Sequence, residues 1–155
     1  MLFTSILFAI SFTFSFSIVG LLINNAIKNK PFYKDISNLN FLKSDAVNRY
    51  IGVLYFRTIV IISFWRHFNP TLKIKERPDA QKLIALRNEV TYAEISDLIA
   101  FICVIIVALF FKIKHLYENA FIPILVWNVI FHIYPPLVQQ YNKRRLDKVI
   151  ARISR

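Results

Sequence analysis

Glycine and cysteine are nearly missing from this chain: among 155 residues there are only Gly20, Gly52 and Cys103. Two isolated glycines cannot build the Gly-rich loop that cradles nucleotide phosphates, which argues against a nucleotide-fold enzyme. One cysteine excludes an internal disulfide framework and a cysteine metal cluster. Cys103 sits within FICVIIVALFF, and the burial habit of free cysteine makes it a lipid- or core-facing residue. His67, His115 and His132 are scattered, with no HExxH spacing, so neither a metal site nor a metal cofactor is expected. The Gly-x-Ser-x-Gly elbow of serine hydrolases does not occur either. Acidic side chains are also few, nine against twenty lysines and arginines, which leaves a formal net charge of +11.

What the chain does have is apolar length. Its composition is 56% hydrophobic with a mean hydropathy of +0.48, above the usual level of soluble domains. A surplus of cations points either to nucleic acid or to a membrane protein whose cytoplasmic parts carry lysine and arginine. Here the cations cluster beside the apolar runs, and few aromatics are interleaved with those of the tail, so no nucleic-acid partner is expected. The predicted fold class is all-α: a small polytopic membrane protein with about three transmembrane helices plus one interfacial or re-entrant helix.

Residues 2–27 hold no charge, and as a helix they exceed the ~30 Å hydrocarbon thickness. No basic residue precedes the run and no small-x-small site follows it, so a retained span over about 3–27 is expected rather than a cleaved leader. Lys28, Lys30 and Lys34 then mark its cytoplasmic end. Residues 28–94 read as a cytoplasmic loop with an interfacial helix. IGVLYFRTIVIISFW, 51–65, is short, interrupted by Arg57 and flanked by cations on both sides. That pattern suits a re-entrant or interfacial helix, the rival being a tilted span with Arg57 buried against a partner. After Pro70 and Pro78, Asp79 is a candidate cap for a short helix. The second span is expected over about 95–111 and the third over about 119–138, with Pro123 and the Pro135–Pro136 pair able to kink it. A basic tail, 139–155, completes the single membrane domain. The topology implied is N-terminus outside, C-terminus cytoplasmic, in the cell's inner membrane.

Ionisable groups inside a span are costly and mark functional sites by default. Asp97 lies about one turn inside the second span, and His132 six residues before the end of the third. The two helices are joined by a short turn and must be antiparallel neighbours, which brings both groups to similar depth. Glu94 shares the face of Asp97 at i, i+3. A carboxylate that fixes an imidazole tautomer makes a workable base for taking a proton from an alcohol. The bland alternatives are a capping or headgroup role for Asp97 and a helix–helix hydrogen bond for His132. In the tail, Lys148, Arg152 and Arg155 suit anionic lipid headgroups. Gln139, Tyr141 and Asn142 can hydrogen-bond a sugar or a carbonyl, and Arg145 can hold a phosphate or carboxylate.

AEISD at 93–97 and HIYPPLVQQYNKRRL at 132–146 resemble the glycosyl-4,4'-diaponeurosporenoate acyltransferases of staphyloxanthin-type carotenoid pathways. Gln139, Tyr141, Asn142, Arg145 and Leu146 fall on that family's C-terminal motif, and Lys143 stands where it has its first arginine. YIGVLYFR at 50–57 and FNP at 68–70 look similar to its middle region. The chain departs from the family in that Asp97 occupies a histidine position and His132 an asparagine position. The resemblance implies acyl transfer from an acyl thioester co-substrate to a sugar hydroxyl of a glycosylated isoprenoid or glycolipid. His132 would then be the base, with Asp97 and Glu94 orienting it. Gln139, Tyr141 and Asn142 would bind the acceptor or the developing oxyanion, and Lys143, Arg145 and Arg57 a donor phosphate. The expected partners are membrane lipid, a lipophilic glycoside and an acyl donor. The alternative is a non-catalytic small subunit or assembly factor of a larger membrane protein complex.

Overall fold

The structure, a computed structural model, describes residues 2–62 and 79–153. The end of the expected 51–65 helix, Pro70, Pro78 and the FNP stretch lie outside the described residues. Every described element is helical: α1 (Leu2–Ile27), α2 (Tyr33–Ile36), α3 (Asp45–Tyr50), α4 (Val53–Ile62), α5 (Ala80–Ile113), α6 (Phe121–His132) and α7 (Tyr134–Ile153), with a 3₁₀ turn at Glu118–Ala120 before α6. Three rods are long and apolar enough to cross a bilayer: α1, α5, and α6 with α7.

The helix from Asp79 does form, and Asp79 caps it by accepting a 3.1 Å hydrogen bond from the Gln81 N–H. It is not a separate short helix, however. With no proline or glycine between Ala80 and Ile113, it continues unbroken into the second span as one helix of 34 residues. At about 1.5 Å per residue it is ~51 Å long, so its N-terminal part must project beyond a ~30 Å hydrocarbon layer. The projecting part lies against α7, where Leu83, Val90 and Leu146 form a small core.

The third rod breaks at Ile133. Pro135 and Pro136 carry no N–H, and their rings crowd the carbonyls of Phe131 and His132 four residues back. The regular ladder therefore stops at His132 and restarts at Tyr134. The tail is not a loose appendage. It is α7, and its 20 residues present Pro136, Leu137, Gln140, Lys143 and Leu146 to the rest of the protein.

Small residues let α1 and α5 approach closely. A Cβ on Gly20 would collide with the Ser96 carbonyl oxygen and stand 2.9 Å from the Ala100 Cβ. Ser96, Ala100 and Ala108 recur at four-residue multiples on the buried face of α5, the small-residue packing that membrane helices use in place of a hydrophobic driving force. Asn24 locks the same seam, with its Nδ2 donating to the Tyr92 carbonyl and to Ser96 Oγ, each at 2.8 Å. Towards the other end, Ala9, Val104, Ala108, Ala120 and Ile124 join α1, α5 and α6 in one apolar core.

Between α1 and α4, residues 28–52 fold over the basic end of the bundle. The described part of α4 is ten residues long and packs on α7, with Val53 against Leu137 and Val138.

Candidate functional site

Two helices, α5 and α7, meet under residues 37–41, a strap that crosses the basic end of the bundle. Glu94 on α5 is fully buried. Its Oε2 accepts from Lys143 Nζ at 2.5 Å and its Oε1 from Gln140 Nε2 at 2.9 Å. Both partners also hold the strap: Lys143 Nζ donates to the Ser37 carbonyl at 3.0 Å, and Gln140 Oε1 accepts from the Phe41 N–H at 2.8 Å. Gln140 and Lys143 sit three residues apart, on one face of α7. A buried carboxylate survives only with such company. Tyr33, just before the strap, has a buried hydroxyl; burial raises its pKa above the ordinary phenol value, opposed in part by the Asn24 amide.

Two recesses flank the strap. One is a groove of about 390 Å³ lined wholly by apolar side chains, among them Ile36, Leu39 and Phe41 from the strap side, Ile95, Leu98 and Ile102 from α5, and Ile133 at the helix break. The other is a polar cleft of about 130 Å³ lined by Asn38, Leu39, Asn40, Arg87, Lys143, Arg144 and Asp147. Arg87 donates to Asp147 at 2.5 Å and to Asn38 Oδ1 at 2.8 Å. Arg144 Nη1 donates to Asn40 Oδ1 at 2.8 Å. Its Nη2 lies 3.6 Å from the exposed carboxylate of Asp45, beyond hydrogen-bond reach, and is buried without a hydrogen-bond partner.

The expected Asp97–His132 dyad takes a different form. Asn128 Nδ2 donates to the Phe101 carbonyl at 3.2 Å and so sets the register of α6 against α5. In an antiparallel pair this brings Asp97, one turn before Phe101, level with His132, one turn after Asn128. No hydrogen bond joins them. His132 is fully buried, and its Nε2 pairs with the Thr13 carbonyl of α1 at 3.0 Å. A carbonyl only accepts, so Nε2 carries the hydrogen and Nδ1 keeps a bare lone pair, buried and without a partner. Backbone, not carboxylate, orients this imidazole. Glu94 is likewise held by Lys143 and Gln140 and not by His132.

The other sequence candidates divide by helical face. Gln139 and Lys143 lie on the buried side of α7. Tyr141 lies under the guanidinium groups of Arg144 and Arg145, at 5.8 and 5.9 Å from its ring centre. Arg145 is exposed and Asn142 half-buried, and neither lines the cleft. Arg57, half-buried on α4, joins none of these contacts. Sequence reasoning missed Gln140, Arg144 and Arg87, together with the strap residues Asn38 and Asn40. Helical spacing carries the signal for α7, because Gln140, Arg144 and Asp147 recur at i, i+4, i+7. Nothing local announces that the DISNLN segment closes over them.

The family model for glycosyl-4,4'-diaponeurosporenoate acyltransferase matches residues 28–152. That range contains the strap, the groove, the cleft and His132. No curated protein and no solved structure matches the chain.

Proposed function

Because the chain belongs to the glycosyl-4,4'-diaponeurosporenoate acyltransferase family, an acyltransferase family of carotenoid biosynthesis, we propose that it moves a fatty acyl group onto a sugar hydroxyl of a glycosylated isoprenoid. The observation that carries this reading is the apolar groove opening beside a polar cleft, both lined by Leu39. A transferase that works on two lipids needs an apolar slot for chains next to polar groups that fix their heads. Membrane lipid supplies the surroundings. The lysines and arginines gathered at the strap end of all three spans favour a cytoplasmic placement of that end in the inner membrane.

His132 is the proposed proton acceptor. Its Nδ1 lone pair has no partner, and Ile133, the next residue, lines the groove. Asp97 stands level with it on α5 and is the proposed partner of the imidazolium when it forms. Gln139 and Asn142 remain the proposed acceptor-binding groups. Glu94, Gln140 and Lys143 act as positioning residues, since each spends its polar atoms on the others and on the strap.

Expression of the chain with glycosyl-4,4'-diaponeurosporenoate in membranes that lack it tests the reading. Mass spectrometry of extracted lipids should find the acylated glycoside. Unchanged acceptor would overturn it. The complete enclosure of His132 is what favours the second reading, a non-catalytic subunit of a larger membrane complex. Stoichiometric co-purification with another membrane protein and no acylated product would select that reading.

A further inference from the structure

The polar cleft is rich in donors. Three cations line it against one carboxylate, Asp147. Arg87 and Lys143 are neutralised by Asp147 and Glu94, whereas Arg144 reaches only the exposed Asp45, at 3.6 Å. Its Nη2 is a buried guanidinium nitrogen with no hydrogen-bond acceptor, a costly state unless a ligand supplies one. Asn38 and Asn40 give their Oδ1 atoms to Arg87 and Arg144, which leaves their Nδ2 groups as further donors. Planar guanidinium and amide donors around a small recess suit a phosphate group.

The neighbour of the cleft decides which phosphate. Leu39 lines both the cleft and the apolar groove, so a phosphate and an acyl chain bound there are separated by little more than one strap side chain. In a glycerophospholipid only the glycerol carbons stand between phosphate and ester carbonyl. A soluble carrier thioester puts a long pantetheine arm between the two. The groove is in the size range of small-molecule ligand sites and presents only apolar surface. We infer that the acyl donor is a membrane glycerophospholipid, its phosphate held by Arg144, Asn38 and Asn40 and its acyl chain in the groove under Leu39. This rests on the acyl-transfer reading above and names the donor for it.

The step balances as a transesterification. The sugar hydroxyl oxygen forms a bond to the acyl carbonyl carbon, and the bond from that carbon to the glycerol oxygen breaks. The proton from the sugar hydroxyl ends on the glycerol oxygen, and a lysophospholipid leaves. No oxidant, nucleotide or metal enters the balance.

The full chain reconstituted in phosphatidylglycerol vesicles with glycosyl-4,4'-diaponeurosporenoate tests this in two arms, one with acyl-labelled phosphatidylglycerol and one with labelled palmitoyl-coenzyme A added to unlabelled vesicles. Labelled product with an equal amount of lysophosphatidylglycerol in the first arm is the expected result. Product labelled only in the thioester arm, without lysolipid, would overturn the donor assignment and leave the acyl-transfer reading standing. No product in either arm would remove both. Native mass spectrometry supplies a readout independent of turnover. Asn40→Asp keeps an acceptor for Arg144 Nη1 and adds a negative charge to the cleft, so it should fold and lose at least fivefold of the co-purified phosphatidylglycerol. Arg144→Gln should do the same. Undiminished lipid in both folded variants would sink the phosphate site.

Discussion

Lys143 reaches Glu94 from the facing helix at 2.5 Å, with both side chains almost wholly shielded from solvent. The pair is the point at which α5, α7 and the strap are tied together, because the same ammonium also holds the Ser37 carbonyl. Buried ion pairs are expensive to assemble and more expensive to break.

Breaking that pair from one side should therefore be worse than removing it. Glu94→Ala or Lys143→Ala alone should cost about 3–5 kcal/mol by leaving an uncompensated buried charge, and should expose the strap to protease. Glu94→Gln combined with Lys143→Met should recover a large part of the loss. Thermal unfolding in detergent of Glu94→Gln, Lys143→Met and the double variant, run as a double-mutant cycle, measures the coupling; additive single losses would show that the two groups do not act as a unit.

The seam between α1 and α5 makes a prediction of its own. Gly20 has no room for a Cβ against the Ser96 carbonyl, which is backbone and cannot turn aside. Gly20→Ala should destabilise the bundle by about 1–3 kcal/mol through overpacking, although alanine is the better helix former. Gly20→Val should be worse. Melting temperatures of the purified variants check the order, and a neutral Gly20→Ala would mean that the helices separate at little cost.

How much of this was legible in the sequence follows from which forces are local. The uncharged run 2–27 and the Asp79 cap announce themselves because length, hydropathy and capping act within one segment. The depth match of Asp97 and His132 could be read because a short turn forces α5 and α6 to be antiparallel. Which way His132 turns could not, because its partner is a backbone carbonyl on α1, 119 residues away, and every residue offers such a carbonyl. Gln140 was similarly silent: its value comes from bonding Glu94 and the Phe41 N–H at once, a coincidence of three distant segments. Arg145 looked like a phosphate ligand by type, but the turn of α7 puts Arg144, and not Arg145, among the residues that line the polar cleft.

The break at Ile133 should trade stability for shape. Pro135→Ala with Pro136→Ala would return two N–H groups to the ladder and relieve the crowding of the Phe131 and His132 carbonyls. A proline inside a helix costs about 3 kcal/mol, so the double variant should melt no lower than the parent while acyl transfer falls at least tenfold, because straightening displaces Ile133 from the groove. Spin-label distances between positions 126 and 149, both exposed, should lengthen in parallel. Full activity with lengthened distances would show that the bend does not shape the site.

The last prediction concerns the imidazole. By the resemblance read in the sequence, His132 stands where the family motif would have asparagine and Asp97 where it would have histidine. If the side chain that takes the proton has exchanged helices, with the two positions level across the α5–α6 pair, the chemistry should survive an exchange back. His132→Asn alone should lower acyl transfer by 10²–10⁴-fold, the usual worth of a positioned general base, while also loosening the hold on the Thr13 carbonyl by about 1 kcal/mol. Asp97→His alone should not raise activity. The double variant Asp97→His/His132→Asn should regain at least tenfold over His132→Asn. Initial rates for all four proteins in one membrane preparation, normalised to folded protein, measure the interaction between the positions. A double variant no better than His132→Asn would mean that position 97 does not open onto the substrate.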